Sequence, residues 1–270
     1  LIPKGWTRAK FGELEEQNVW PKLSQLHPAL CNHLAPYADV CRKRADKGDY
    51  WWELRACDYY DAFAVPKLLY RDIASSPSFY VDQCGALAAN TCYFIPSDEL
   101  DVAGLLNSIA VWFVYLQMSS QIRGGFVRYF TQFVEQLPIP PATDEQKQQL
   151  ATLAEKCQSA AEQRYQLQKG VRRRIPDLCP PERDAKLNNK LKSWWEFEDF
   201  AAFRAEIKKT FKADIPLADR SDWEDWIARD KAEIARLTAE IKQHEDQINA
   251  LVYILFELTD DEIKLLEANI

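Results

Sequence analysis

Catalytic signatures are missing from this sequence: it has no G-x-x-x-x-G-K-[ST] loop to cradle phosphates, no G-x-S-x-G nucleophile turn and no H-E-x-x-H metal pair. Glycine is scarce, eight in 270 residues, and none forms a Gly-rich turn from strand to helix of the kind a nucleotide needs. The three histidines, His27, His33 and His244, are too scattered to suggest a metal site. Seven cysteines, an odd number with no C-x-x-C pair, argue against a zinc site and a secreted disulfide framework, and for free thiols in a reducing cytosol. No uncharged apolar run is as long as a membrane span. The first ten residues, LIPKGWTRAK, contain neither an initiator Met nor a signal-type apolar region, so we expect a piece of a longer chain.

An excess of positive charge is also absent. The net charge of −7 argues at first sight against a nucleic-acid partner. Its distribution reverses that reading: residues 213–270 hold 6 Lys/Arg against 15 Asp/Glu, which leaves residues 1–212 with 28 against 26. A DNA-binding face on the front portion would therefore be a local patch of modest intrinsic affinity. What is present in quantity is apolar surface. With 47% hydrophobic and 28% charged residues, the chain can build one large or two modest cores.

Leu105 to Met118 (LLNSIAVWFVYLQM) is apolar at nearly every position, as a fully buried helix tolerates. It leads into Arg123 to Pro140 (RGGFVRYFTQFVEQLPIP), where Gly124 and Gly125 allow positive φ or a close backbone approach between Arg123 and Arg128. Pro138, Pro140 and Pro141 then impose a rigid boundary. Upstream, residues 1–20 show little periodicity and are expected to be an extended lead-in. Lys22 to Lys47 has helical spacing broken by Pro28 and Pro36, and Tyr50–Tyr60, Val65–Ile73, Phe79–Gln83 and Thr91–Ile95 read as short strands of one small sheet.

Downstream, Thr143 and Gln146 form a capping signal for a helix running to about Lys169. A second long helix from Ser221 to Glu257 carries Ile227, Ile234, Leu237, Ile241, Ile248, Leu251 and Leu255 in a heptad seam, with Asp230 and His244 as polar members that fix register. The two helices are expected to pair antiparallel in a coiled-coil-like arrangement. Between them lies a helical excursion at about 171–220 with Phe197, Phe200, Phe203, Ile207 and Phe211 on one face, and Thr259 with Glu262 caps a final short helix. The fold class is α+β: a small mixed β-sheet domain over residues 1–141, then a helical domain over 142–270.

Four stretches in order, YWWELR (50–55), VPKLLY (65–70), the segment from Leu105 to Pro140, and LVYILFELTDDEIKLLE (251–267), resemble the TaqI-like C-terminal specificity domain of fused type II restriction-modification adenine methyltransferases. The resemblance implies a module that reads a short double-stranded DNA sequence, faces the methyltransferase domain of the same parent chain across the DNA, and does no chemistry itself. S-adenosylmethionine and adenine methylation would belong to the part of the parent not contained here, since the family's Asn-Pro-Pro-Tyr motif is absent from these residues. A nuclease in the parent is left open, and the expected location is the cytoplasm, with no membrane partner. A helical protein-interaction module docking a separate catalytic protein, as a specificity subunit does, is the alternative. Pro176-Asp177 with Glu206-Ile207-Lys208 has the spacing of a metal-dependent nuclease, but that fold needs the Glu and Lys on a strand, where this sequence has helical periodicity.

Candidate DNA contacts follow from the basic and aromatic positions. Arg123, Gly124, Gly125 and Arg128 surround the bare turn, where an arginine can reach phosphate or guanine, or else pair with Glu135 or Asp101 as a structural ion pair. Lys67 and Arg71 fall on one face of a strand, and Lys67 is expected to leave the core, either as a phosphate or base-edge contact or as an edge-strand gatekeeper. Arg42, Lys43, Arg44 and Lys47 close a helix, where they serve as phosphate anchors or as compensation of the helix dipole.

Overall fold

The computed structural model describes residues 2–122 and 124–269. Its contacts group the chain into two units, Leu1–Lys67 with Asp82–Ala88, and Leu68–Val81 with Ala89–Ile270.

The first unit holds helices α1 (Trp6–Phe11), α2 (Glu16–Leu26), α3 (Pro28–Leu34) and α4 (Ala38–Arg42). Pro28 opens α3 at a position whose N–H would be unpaired anyway, and Pro36 sits in the 3-10 turn Ala35–Tyr37, so the expected helix is divided where its prolines fall. Two expectations fail here. The described part of residues 1–20 is not extended but supplies α1 and the start of α2, and Tyr50–Tyr60 is a run of turns with one bridge, Lys47 to Leu54, at its edge. The cause is a tryptophan cluster: Trp20 lies 4.7 Å from Trp51 and 5.1 Å from Trp52, which stacks on Tyr50 at 4.8 Å. Beneath it the fully buried Glu53 accepts backbone N–H bonds from Thr7 (3.0 Å), Asp49 (2.8 Å), Gly5 (3.3 Å) and Tyr50 (3.4 Å). One carboxylate thus ties α1 to the turn, and satisfies donors that a strand would have paired with a neighbour.

Strands β1 (Lys67–Arg71), β2 (Ile73–Ala74), β3 (Tyr80–Asp82) and β4 (Cys92–Ile95) come next, all in the second unit save their end residues Lys67 and Asp82. Helices α5 (Leu100–Leu106) and α6 (Ile109–Met118), strands β5 (Gln121–Ile122) and β6 (Phe126–Arg128), and the short helix α7 (Thr131–Val134) follow. The strands form not one sheet but two of three strands each, ordered β3-β1-β4 and β2-β6-β5. Asp72 makes the switch: its N–H donates to the Thr91 carbonyl at 3.0 Å, whereas its own carbonyl accepts from Tyr129 N–H at 2.8 Å, so the chain leaves one ladder for the other within a residue. The apolar run expected as one helix is bent by 60° between α5 and α6. Ser108 accepts from Val111 N–H as the new N-cap, and the Asn107 amide bonds both the N–H and the carbonyl of Phe79 at 2.9 and 2.8 Å. No single helix among the described residues is long and apolar enough to cross a membrane.

Helices α8 (Asp144–Arg174) and α11 (Arg220–Leu255) run antiparallel: Cys157 Sγ approaches the Ile241 carbonyl (3.8 Å), and about two turns further along α8 Arg164 reaches back to Thr238 Oγ1 (3.2 Å). The seam residues Ile227, Ile234, Leu237, Ile241 and Ile248 are buried. Asp230, also buried, accepts from Trp226 Nε1 at 2.7 Å and from Arg229, and half-buried His244 sits 3.9 Å from Glu240. On its other side α8 packs along α5, where Gly104 lies so close to Ala154 that a Cβ there would meet the alanine at 3.3 Å. Between the long helices, α9 (Asn189–Lys192) and α10 (Phe200–Phe211) bury Leu191, Phe203, Ile207 and Phe211 against Val171, Ile175 and Trp194. The helix α12 (Asp260–Ala268) closes the chain under the Thr259/Glu262 capping box. The capping box at Thr143 is complete too, its Oγ1 accepting from Gln146 N–H while Gln146 Oε1 accepts from Thr143 N–H. Thr143→Ala is therefore expected to lower the unfolding free energy by about 1 kcal/mol, read from urea denaturation, with no change in helix content below the transition.

Candidate nucleic-acid interface

In the second unit the hairpin of β5 and β6 carries the exposed aromatic and basic residues. Gly124 and Gly125 have φ of 90° and 78°, values that L side chains rarely adopt, and Arg123 lies outside the described residues. A Cβ at Gly125 would meet nothing within 4 Å. Gly125→Ala should therefore cost only the backbone term, about 1 kcal/mol in thermal unfolding, without steric damage to the hairpin.

Strand alternation sends Val127 into the core and turns Phe126 and Arg128 outward. Ile122 pairs with Phe126 and Ile73 with Arg128, so these four share the outer face of the sheet. Ile73, Ile122, Phe126 and, just beyond, Phe130 are all more than a third exposed. Arg128 is held over this face. Its Nη2 and Nε donate to the two oxygens of Asp72 at 2.8 and 3.3 Å, and its guanidinium stacks 4.8 Å from the Phe130 ring. Hydrogen bonding to Asp72 raises the pKa of Arg128 further, yet 43% of the side chain stays exposed against 12% for Asp72. The expected structural partners, Glu135 and Asp101, are replaced by Asp72. The sequence reading missed this residue, and the one signal for it was an acid interrupting the apolar run from Val65 to Ile73.

Beneath the hairpin Tyr115 donates to the Arg128 carbonyl at 2.5 Å and stacks on Tyr129 at 4.2 Å. Burial pushes Tyr115 up to about 12 and Tyr129 higher still, so both stay neutral and serve as packing, not as acids or bases. Arg71 ends β1 in an exposed position, and among the described residues its side chain has no hydrogen-bond or ion-pair partner.

In the first unit, the residues closing α4 divide into occupied and open. Lys47 Nζ donates to the carbonyls of Arg42 (3.0 Å) and Arg44 (3.3 Å), and Arg44 Nη2 to those of Trp51 (3.2 Å) and Glu53 (2.8 Å). Both satisfy carbonyls of the local fold. Arg42 pairs with Glu16 (2.7 Å) and Asp39 (3.2 Å) and lies over Trp51, still about half exposed. Lys43 is exposed, and its side chain has no partner among the described residues.

Lys67 is a correction. Expected to leave the core, it is fully buried, its Nζ donating to Asp82 Oδ2 at 2.5 Å and to the Phe63 carbonyl at 2.9 Å. The partner acid, fifteen positions on and 4% exposed, makes burial of the cation possible, so Lys67 is unavailable to DNA. Arg71, on the same strand, faces solvent instead.

The nuclease spacing gains no geometry: Glu206 and Lys208 lie on α10, and Glu206 is buried, accepting from the Asn188 amide at 2.8 Å. No group of three or more His, Cys, Asp or Glu among the described residues could hold a metal ion.

Comparison with known proteins matches this arrangement to two families. Residues 25–139 match the TaqI-like C-terminal specificity domain, and residues 143–252 match a domain of unknown function (DUF8810). A 139-residue stretch is 24% identical to the type II methyltransferase M.BanIII of Aneurinibacillus aneurinilyticus, covering 46% of this chain and 24% of that protein. The chain thus spans about a quarter of the length of that relative. YWWELR, VPKLLY and the whole hairpin lie inside the first match, and the two matches meet between 139 and 143, next to the proline boundary. Residues 25–139 are thus similar to the TaqI-like C-terminal specificity domain.

Proposed function

We propose that this chain is the DNA target-recognition module of a restriction-modification methyltransferase and reads duplex sequence without performing chemistry. The observation that carries the reading is the specificity-domain match over residues 25–139, which encloses the exposed hairpin with Arg128 fixed on its outer face. An arginine has five donors, and two of those on Arg128 are used by Asp72. The rest project from a guanidinium whose orientation is already set, which favours a base edge over a mobile phosphate contact. Gly124, Gly125, Arg128 and, at the same turn, Arg123 form the proposed reading surface, and Arg71 is a proposed phosphate contact. Lys43 and Arg42 are proposed phosphate anchors, with Arg44 and Lys47 positioning them.

In this proposal residues 1–141 read DNA and residues 142–270 form a helical scaffold. The methyltransferase domain of the parent chain binds S-adenosylmethionine, modifies adenine and works in the cytoplasm. Two measurements test the division of labour. Titration calorimetry of this chain with S-adenosylmethionine should give no binding heat, and fluorescence anisotropy should show duplex binding that weakens with salt. Micromolar cofactor binding, or no duplex binding at low salt, would overturn it.

A further inference from the structure

The largest unpaired concentration of positive charge lies outside the specificity domain. Residues 169–192 carry eight Lys/Arg against three Asp/Glu in a chain whose net charge is −7. On α8, Lys169, Arg172 and Arg173 are spaced three and four apart and so share a face. Arg172 Nε donates to the Lys192 carbonyl at 2.6 Å and its guanidinium lies 4.8 Å from the Trp195 ring, which brings the end of α9 beside that face, and Lys190 and Lys192 on α9 are both exposed. Buried Leu191 and Trp194 hold the junction, Trp194 Nε1 donating to the Gln168 carbonyl at 3.1 Å.

Among the described residues the one ion pair in this stretch is Arg174 with Asp177, and Lys169, Arg172, Arg173, Lys190 and Lys192 have no ion pair with an acid. Compensation of the α8 dipole explains cations in its last turn. It does not explain Lys190 and Lys192, which come from a separate helix of four residues with little dipole of its own. Like charges gathered without acids repel one another, and the arrangement is stabilised when a polyanion binds it. Gln158, whose amide clamps Val81 of β3, lies on the same helix, roughly 16 Å before Lys169 at 1.5 Å per residue. The patch is therefore separate from the sheets.

We infer that the end of α8 and α9 form a second DNA surface, which binds backbone phosphates flanking the sequence that the specificity domain reads, and does so without regard to base sequence. This rests on the target-recognition reading for its partner, and phosphate is the chemistry that five unpaired Lys/Arg recognise.

The test uses the whole 270-residue chain. Lys169, Arg173, Lys190 and Lys192 are changed together to Gln, and Arg172 is kept because it holds α9. Anisotropy titrations on a long duplex between about 50 and 200 mM salt give the slope of log K against log salt, to which each phosphate contact adds about 0.9. The variant slope should be shallower by about two to three, with the same fold loss for preferred and unrelated duplexes. If the quadruple variant does not fold, Lys190→Gln with Lys192→Gln should show about half the change. Unchanged affinity and slope in a folded variant would overturn the inference and leave the target-recognition reading standing. Wild-type binding without sequence preference that the variant loses would support the patch and overturn that reading, and no wild-type binding would overturn both.

Discussion

Asp82→Ala is expected to lower the unfolding free energy by about 3 to 5 kcal/mol, the usual cost of leaving one member of a buried ion pair alone. Lys67 would keep only the Phe63 carbonyl. Lys67→Met should cost less, because Asp82 would still accept from Ala86 N–H (2.7 Å) and Cys84 N–H (3.1 Å) and the methionine stem fills the same space. The pH dependence has a definite sign. Burial pushes the Asp82 carboxyl up, but Lys67 and the two N–H groups together hold it below its ordinary value. A carboxyl lowered in the folded state stabilises fully above its unfolded pKa of about 3.9, and that contribution is lost as the pH falls through the lower folded value. The stability gap between wild type and Asp82→Ala should therefore begin to narrow as the pH falls below about 4. Equal losses for the two single variants, or a gap that does not narrow in acid, would show that the pair is not what anchors this strand.

That pair also marks where sequence reading ran out. Lys67 in an apolar strand gave no sign of its acid, because the partner is contributed by another strand of the sheet. Patterns closed within four residues were legible: both Thr capping boxes, the broken helix at Pro28 and Pro36, and the Gly124-Gly125 turn stand where the residues put them. The seams of the two long helices were legible for the same reason, since each repeats over several turns. What failed depended on partners distant in sequence. YWWELR is rich in strand-forming aromatics, yet Tyr50 N–H donates to Glu53 and Trp51 packs on Trp20, so burial and not ladder pairing decided its shape. The helix over Leu105–Met118 was interrupted by Asn107 and Ser108, whose side chains cap backbone at Phe79 and Val111. Of the site, the Gly124-Gly125 turn and Arg128 were visible, whereas the strands β5 and β6 and Asp72 as the residue that orients Arg128 were not.

Arg128→Ala is the second large expectation. If Arg128 reads a base, its loss should weaken binding to the preferred duplex by about 1 to 3 kcal/mol while binding to unrelated duplexes changes little, so that discrimination falls. Stability should shift less, because the pair with Asp72 is partly open to solvent and exposed pairs contribute little. Arg71→Ala should act differently, lowering affinity for all duplexes alike and making the salt dependence shallower by about one phosphate contact. Unchanged binding by Arg128→Ala with a lowered transition temperature would make the arginine structural and move the reading surface elsewhere.

The central claim is that this chain by itself reads sequence, and selection from a pool of random-sequence duplexes tests it most directly. After repeated rounds of binding at moderate salt and amplification, the retained duplexes should converge on one short sequence. The chain should bind that sequence at least about tenfold more tightly than a scrambled version, the discrimination of one good arginine–base contact. A pool that remains random while binding still weakens with salt would contradict the account, leaving a chain that holds DNA without reading it.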